Sequence, residues 1–417
     1  MQNHKITESD TRKNRISLLP VLVILPFIFA SCSETHDLDG KWRAVLKSPG
    51  GDLAFPLIIQ QKEDQLSAFA VNSSDTSYFT NMSINGNTIR LTFDHYDAVI
   101  AADITPSDLI GNWTRTAENG SKSSLAFEAV KSNKPRYSVP SPEQNNFDGE
   151  WNVTFEDEDG LFPATGIFYG ENGILHGTFM TETGDYRFLE GVYSDSTFIL
   201  STFDGTHAFL FDAKLNPDGG MTGNFWSRDS YHATFSAKKG ENTLRNPMEM
   251  ADNSVIGRKV TFAFKNSDGI LISNEDEKFR NKPLLVYLFG SWCPNCADEA
   301  HLLRSLYEDY KDTKLEIVGL AYEFTGNFER DAVMVERYRK RFDIPWTLLI
   351  AGTSDKQDAA ETIDFLDEVI SYPTSIFTDS KHSIKFIHTG FNGPATGPYY
   401  YNEIERFKRS LDEITKN

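Results

Sequence analysis

Cysteine is scarce in this chain of 417 residues: three occur, at positions 32, 293 and 296. So few exclude a scaffold stapled by many disulfides and any multi-cysteine metal cluster. Positive charge is also short, with 41 Lys and Arg against 60 Asp and Glu and a net charge of −19. Nucleic acid and anionic lipid surfaces are therefore poor partners. The uncharged run from Ile16 to Ala30 is too short for a membrane-spanning helix and is interrupted by Pro20 and Pro26. What the chain does contain is enough apolar and aromatic residues (39% and 13%) for packed cores, and enough length for two or three domains.

Arg12, Lys13 and Arg15 precede the uncharged run, and FASC closes it at Cys32. A basic start, an apolar middle and small residues before a cut form a secretory signal pattern. The stretch resembles a bacterial lipoprotein signal, with Phe29 departing from the Leu, Val or Ile usual three residues before the cysteine. That resemblance implies a signal peptide at 1–31, a lipid on Cys32 and a short tether at 32–38. The body is then anchored to a membrane outside the cytoplasm, on the periplasmic side; an uncleaved anchor is the alternative. In such a compartment thiols are oxidised, and with Cys32 committed to lipid only Cys293 and Cys296 can pair.

From Asp39 to about Ala129 the sequence reads as short strands broken by turns, among them WRAVL (42–46), FPLIIQ (55–60) and TIRLTF (88–93). Strands at this spacing with no helical period predict an antiparallel sandwich or barrel. The pattern then restarts. DGKW at 39–42 returns as DGEW at 148–151, and LTFD at 91–94 as STFD at 201–204. Such offsets suit a duplicated β-domain: repeat 1 at 39–131, a linker at 132–146, and repeat 2 at 147–239. The repeated Trp42 and Trp151 invite a ligand-platform reading, as in sugar-binding sheets, but each reads better as a cap on its own core. His95, His207 and His232 are scattered, and no metal site or nucleophile is expected in this half.

A second polar linker at 240–255 leads into 256–417, where buried strands alternate with helices. PLLVYLFG (283–290) and KLEIVGLAY (314–322) are continuous apolar runs, as parallel strands buried on both faces should be. Leu302, Leu303 and Leu306 fall at helical spacing after the first run. The expected fold is therefore multidomain: two related antiparallel β-sandwich or barrel repeats, then an α/β unit with a mostly parallel sheet and a terminal hairpin at DSKHS.

SWCPNC (291–296) sits where the first buried strand ends and its helix begins. Unpaired N–H groups and the macrodipole at a helix N-terminus stabilise an anion, so Cys293 is expected to be a reactive thiolate. Cys296 lies one turn on, within bridging distance, and Pro294 fits the first turn without losing a hydrogen bond. This arrangement predicts attack by Cys293 on a partner disulfide and resolution by Cys296. Trp292 is expected beside the pair as part of the docking surface. No second cysteine pair exists to complete a zinc site, and no cofactor is called for.

Strand, WCPNC, helix and the later SYPTSIF resemble the thioredoxin fold, and more narrowly the TlpA-like thiol-disulfide oxidoreductases, which belong with the AhpC/TSA-type proteins. The resemblance covers 256–417. It implies that Pro373 is cis and faces the cysteines, that the backbone at Tyr372 pairs with an extended substrate, and that Glu299 lies near the active site. One helical turn from Cys296, Glu299 either takes that thiol's proton or only complements the helix dipole, as Asp298 is expected to do. Glu323 matches a second acidic position, an acid or base; His301 departs from the family's proline. It also implies an envelope disulfide reductase whose partners are oxidised envelope proteins, with haem-attachment cysteines of cytochrome c maturation among them, and an upstream dithiol electron donor. Two alternatives remain. One is an AhpC/TSA-type thiol peroxidase, against which Gly290 stands where a Thr is needed. The other is a binding protein whose β-domains hold a ligand or partner, with an accessory thioredoxin-like domain.

Overall fold

The computed structural model describes residues 37–62, 65–116 and 121–416; Cys32 and the expected signal segment lie outside the described residues. Among these residues, nine antiparallel strands between Gly40 and Lys131 form one sheet. Its first strand, Gly40–Ser48, pairs with Gly51–Lys62 on one side and with the last strand, Lys122–Lys131, on the other. Asp75–Tyr78 and Asn81–Asn85 occupy the two edges. The second copy goes further. Eight strands, from Gly149–Asp157 to Tyr231–Lys239, close into a barrel through pairing of the first with the last.

The duplication is visible atom by atom. Trp42 Nε1 donates to the carbonyl of Leu38 at 2.9 Å, and Trp151 Nε1 donates to that of Phe147 at 2.8 Å. Both indoles are buried, so each caps its core and neither offers a platform. Gly51 and Gly160 open equivalent second strands at φ +126° and +125°, a conformation that penalises any residue with a Cβ. An eight-stranded barrel has an interior just wide enough to be filled by side chains. Here Phe155, Phe179, Phe211, Phe225 and Phe235 fill it, with Phe211 and Phe225 stacked at 4.3 Å.

The third sheet runs in the order Leu271–Ser273, Ala263–Lys265, Thr347–Thr353, Glu316–Glu323, Leu284–Phe289, Thr374–Thr378, Ile384–Thr389. It is not mostly parallel. Only the three central strands run parallel; the flanking pairs are antiparallel. Antiparallel neighbours need only a tight turn, whereas each parallel pair needs a crossover, here the helices Pro294–Tyr310 and Phe328–Arg341. The hairpin Ala263–Ser273 escapes a hydrophobic pattern because its strands are three residues long and largely exposed.

The β-modules and the α/β unit are in direct contact. Phe203 of the barrel stacks on Phe55 of the first sheet at 4.6 Å. Segment 132–146 holds no strand or helix, yet its Arg136 is buried and donates to the carbonyls of Ser201 and Val71, both at 2.8 Å. Arg337 of the second crossover helix donates to the carbonyl of Asp94 at 2.9 Å. Trp42→Phe and Trp151→Phe should each leave one carbonyl unpaired and lower stability by about 2 kcal/mol. Urea unfolding followed by circular dichroism checks this, and the equivalence of the two sites predicts similar shifts.

Candidate active site

Leu284–Phe289 is buried along its whole length and delivers the chain to Gly290–Ser291–Trp292. A Cβ on Gly290 would lie 2.1 Å from the Trp292 indole nitrogen, so only glycine lets the ring fold back over the turn. The ring is fixed by Nε1 donating to the carbonyl of Tyr322 at 2.9 Å and by Phe324 at 4.3 Å. Glu323 accepts from the N–H and the hydroxyl of Ser291, at 2.8 and 2.7 Å. Its carboxylate thus anchors the turn from the neighbouring strand.

Cys293 caps the helix Pro294–Tyr310, its sulfur accepting the N–H of Cys296 at 3.2 Å. The same sulfur lies 3.5 Å from the carbonyl of Tyr372, and the Tyr372–Pro373 bond is cis. Cys293 is 6% exposed and Cys296 is fully enclosed; the two are free thiols. Burial, and then the neighbouring Cys293 sulfur, pushes the Cys296 thiol well above the usual range. Tyr338 secures the same turn by donating to the Cys296 carbonyl at 2.7 Å.

Glu299 sits behind the pair, 1% exposed. One of its oxygens accepts the Ser375 hydroxyl at 2.6 Å, and the other is buried without a hydrogen-bond partner. Burial pushes its carboxyl up to about 8, with Ser375 opposing the rise and the buried Glu403 adding to it. No hydrogen bond joins Glu299 to either thiol among the described contacts, although its charge acts on Cys296. The structure therefore gathers Trp292, Cys293, Pro294, Cys296, Tyr372 and Pro373 at one strand–helix junction, with Glu299 beneath it and Glu323 bracing its turn.

The sequence reading missed the contribution of the barrel. Asp298, expected only to complement the helix dipole, is buried and paired with Arg187 of the barrel. Arg187 also lies 3.5 Å from Asp75 of the first sheet and 3.9 Å from Asp204. Despite the cost of burial, these carboxylates hold the guanidinium firmly charged. Asp185 accepts the N–H of Gly393 at 2.6 Å; burial, and then the charge of Asp298, pushes it up to about 6. The barrel loop 181–187 thus lies on the cysteine-bearing helix, where Gly184 abuts Asn295 and a Cβ would clash. His207, read as unpartnered, bonds Asp204 at 2.9 Å. The three-residue spacing of that pair was the one available signal.

The AhpC/TSA family model matches residues 256–387. The thioredoxin-like protein YneN of Bacillus subtilis is 31% identical over 129 residues, which span 31% of this chain and 68% of that protein. The thiol-disulfide oxidoreductase ResA of Halalkalibacterium halodurans is 26% identical over 169 residues, spanning 40% of this chain and 86% of that one. A solved thiol-disulfide oxidoreductase from Bacteroides fragilis superposes on 35% of this chain and 96% of its own, with 21% identity and a TM-score of 0.27.

Two measurements check the electrostatics. Glu299 has a folded-state value of about 8 against 4.5 for the free side chain, so the native state holds an extra proton between those limits. Stability should fall as pH rises through that window. The difference between wild type and Glu299→Gln, read from unfolding midpoints at pH 5 and pH 8, should be on the order of a few kcal/mol. Arg187→Met strips a buried carboxylate cluster of its cation and should cost about 3–5 kcal/mol, read by denaturant unfolding.

Proposed function

The chain belongs to the AhpC/TSA family of thioredoxin-fold proteins and is a thiol-disulfide oxidoreductase, and from that premise we propose that it reduces disulfides of envelope proteins through the Cys293–Cys296 dithiol. One observation carries this reading. A sulfur with slight access to solvent caps a helix N-terminus, and the residue that carries a second, fully enclosed sulfur donates its backbone N–H to the first. The Cys293 sulfur attacks one sulfur of the partner's disulfide, and the other leaves as a thiolate that takes up a proton. Cys296 then gives up its proton and displaces the partner from Cys293. The partner departs with two electrons, and the protein holds a Cys293–Cys296 disulfide that an upstream dithiol donor reduces.

Resolution is the step that needs help, because Cys296 is enclosed and its thiol resists ionisation. Glu299 is the nearby group suited to take that proton, since a base works best when its own value lies near the working pH. Trp292, Pro294, Tyr372 and Pro373 form the surface against which an extended substrate segment docks, and Glu323 keeps the Ser291 turn in place rather than moving protons. Residues 39–131, 147–239 and 256–417 are proposed as the domains, with lipid on Cys32 as the tether to the membrane on its periplasmic side. No helix among the described residues is long and apolar enough to cross a membrane. Cytochrome c haem-attachment cysteines are a fitting client class. The peroxidase alternative meets a steric obstacle: the Trp292 indole occupies the space that any side chain at 290 requires. A ligand inside the barrel meets another, the phenylalanine filling.

Cys293→Ser should abolish reduction of a model disulfide, while Cys296→Ser should accumulate mixed disulfides that can be isolated from envelope extracts. Recovery of no partner, together with a wild-type protein unable to reduce any disulfide, would overturn the proposal. Glu299→Gln should slow resolution at least tenfold and remove a rise in its rate centred near pH 8, measured by single-turnover quenching.

A further inference from the structure

Between the barrel and the cysteine turn lies a cavity of about 610 Å³, within the size range of ligand pockets. Its aromatic wall has two sources. Tyr186, Phe209, Phe225 and Tyr231 come from the barrel, Trp292 and Phe324 from the α/β unit. Arg115 of the first sheet and Arg228 of the barrel supply its charged lining, and His207 a polar edge. Neighbouring rings stand in contact: Tyr186 and Phe225 are 5.0 Å apart, Phe225 and Tyr231 5.5 Å, Trp292 and Phe324 4.3 Å. Such spacings leave offset and edge positions for one further ring.

Position relative to the thiols gives the cavity its meaning. Trp292 and Pro294, the residues on either side of Cys293, both line it. Any chain joined to Cys293 through sulfur therefore has its neighbouring residue beside this wall. We propose that the cavity is a specificity pocket, built jointly by the barrel and the redox helix, for an aromatic side chain adjacent to the substrate cysteine in an extended peptide. This deepens, and rests on, the oxidoreductase reading. During the reaction the peptide sulfur bonds to Cys293 as its former partner leaves, the aromatic neighbour occupies the pocket, and Cys296 then releases the peptide as a thiol.

The test uses the full chain and short peptides, each with one cysteine in mixed disulfide with 2-mercaptoethanol, differing only in Phe or Ser after the cysteine. Wild type should favour the Phe peptide roughly tenfold or more in kcat/KM, with the difference residing in KM. Ser227→Phe fills the cavity from a barrel strand, and Tyr231→Ala enlarges it; in each the Phe-to-Ser ratio should drop toward one. That ratio is read within one protein, so partial loss of folding cannot imitate it. Equal use of both peptides by wild type, or a ratio unchanged in both variants, overturns the pocket and leaves the oxidoreductase reading intact. Binding of Phe and Ser peptides lacking the disulfide to a Cys293→Ser, Cys296→Ser protein, followed by calorimetry, separates the two claims. Preferential binding by a chain whose wild type reduces no peptide supports the pocket and overturns the redox reading alone.

Discussion

Arg187 is a cation held away from water by a β-barrel, and it stays charged because carboxylates from three parts of the chain surround it. Asp75 comes from the first sheet, Asp204 from the barrel itself and Asp298 from the helix that carries the cysteines. Burying one ion alone is prohibitive, and burying it with partners demands good geometry from all of them. The consequence is mutual: the helix cannot shift without stranding the guanidinium, and the barrel cannot turn without stranding Asp298. Gly184 against Asn295 and Gly393 against Asp185 close the same joint so tightly that neither has room for a Cβ. The cysteine pair is therefore positioned by residues more than a hundred places earlier in the chain as well as by its own strand and helix.

How much of this could be read beforehand follows from the range of each interaction. The cysteine turn was legible because strand, glycine, tryptophan and helix cap are consecutive, and their chemistry is local. The duplication was legible because the same indole-to-carbonyl bond spans four residues in each copy, so DGKW and DGEW had to stay alike. The environment of Glu299 was not, since its one hydrogen-bond donor, Ser375, is 76 residues away. Nothing in TETGDYR announces that it docks on a helix 111 residues further on. The central sheet was misjudged for a related reason: apolar runs report burial on both faces and say little about strand direction.

The two β-modules show how far one pattern can diverge. Both bring their first strand between the second and the last, yet one remains a sheet with two edges while the other closes. The barrel loads its interior with phenylalanine. The first sheet takes part of its packing from outside, through Phe203 of the barrel. Each module thus completes something its neighbour lacks, and the irregular stretch around Arg136 knits them together.

A barrel filled with stacked rings is packed by side chains that cannot easily rearrange. The end of the barrel core next to the thiols is accordingly a stiff template, not a cushion, and whatever comes against it must already have a compatible shape. On the proposed pocket reading, selectivity operates by refusal. A branched neighbour that cannot lie against the rings would be turned away before any sulfur is exchanged, and a flat aromatic one admitted.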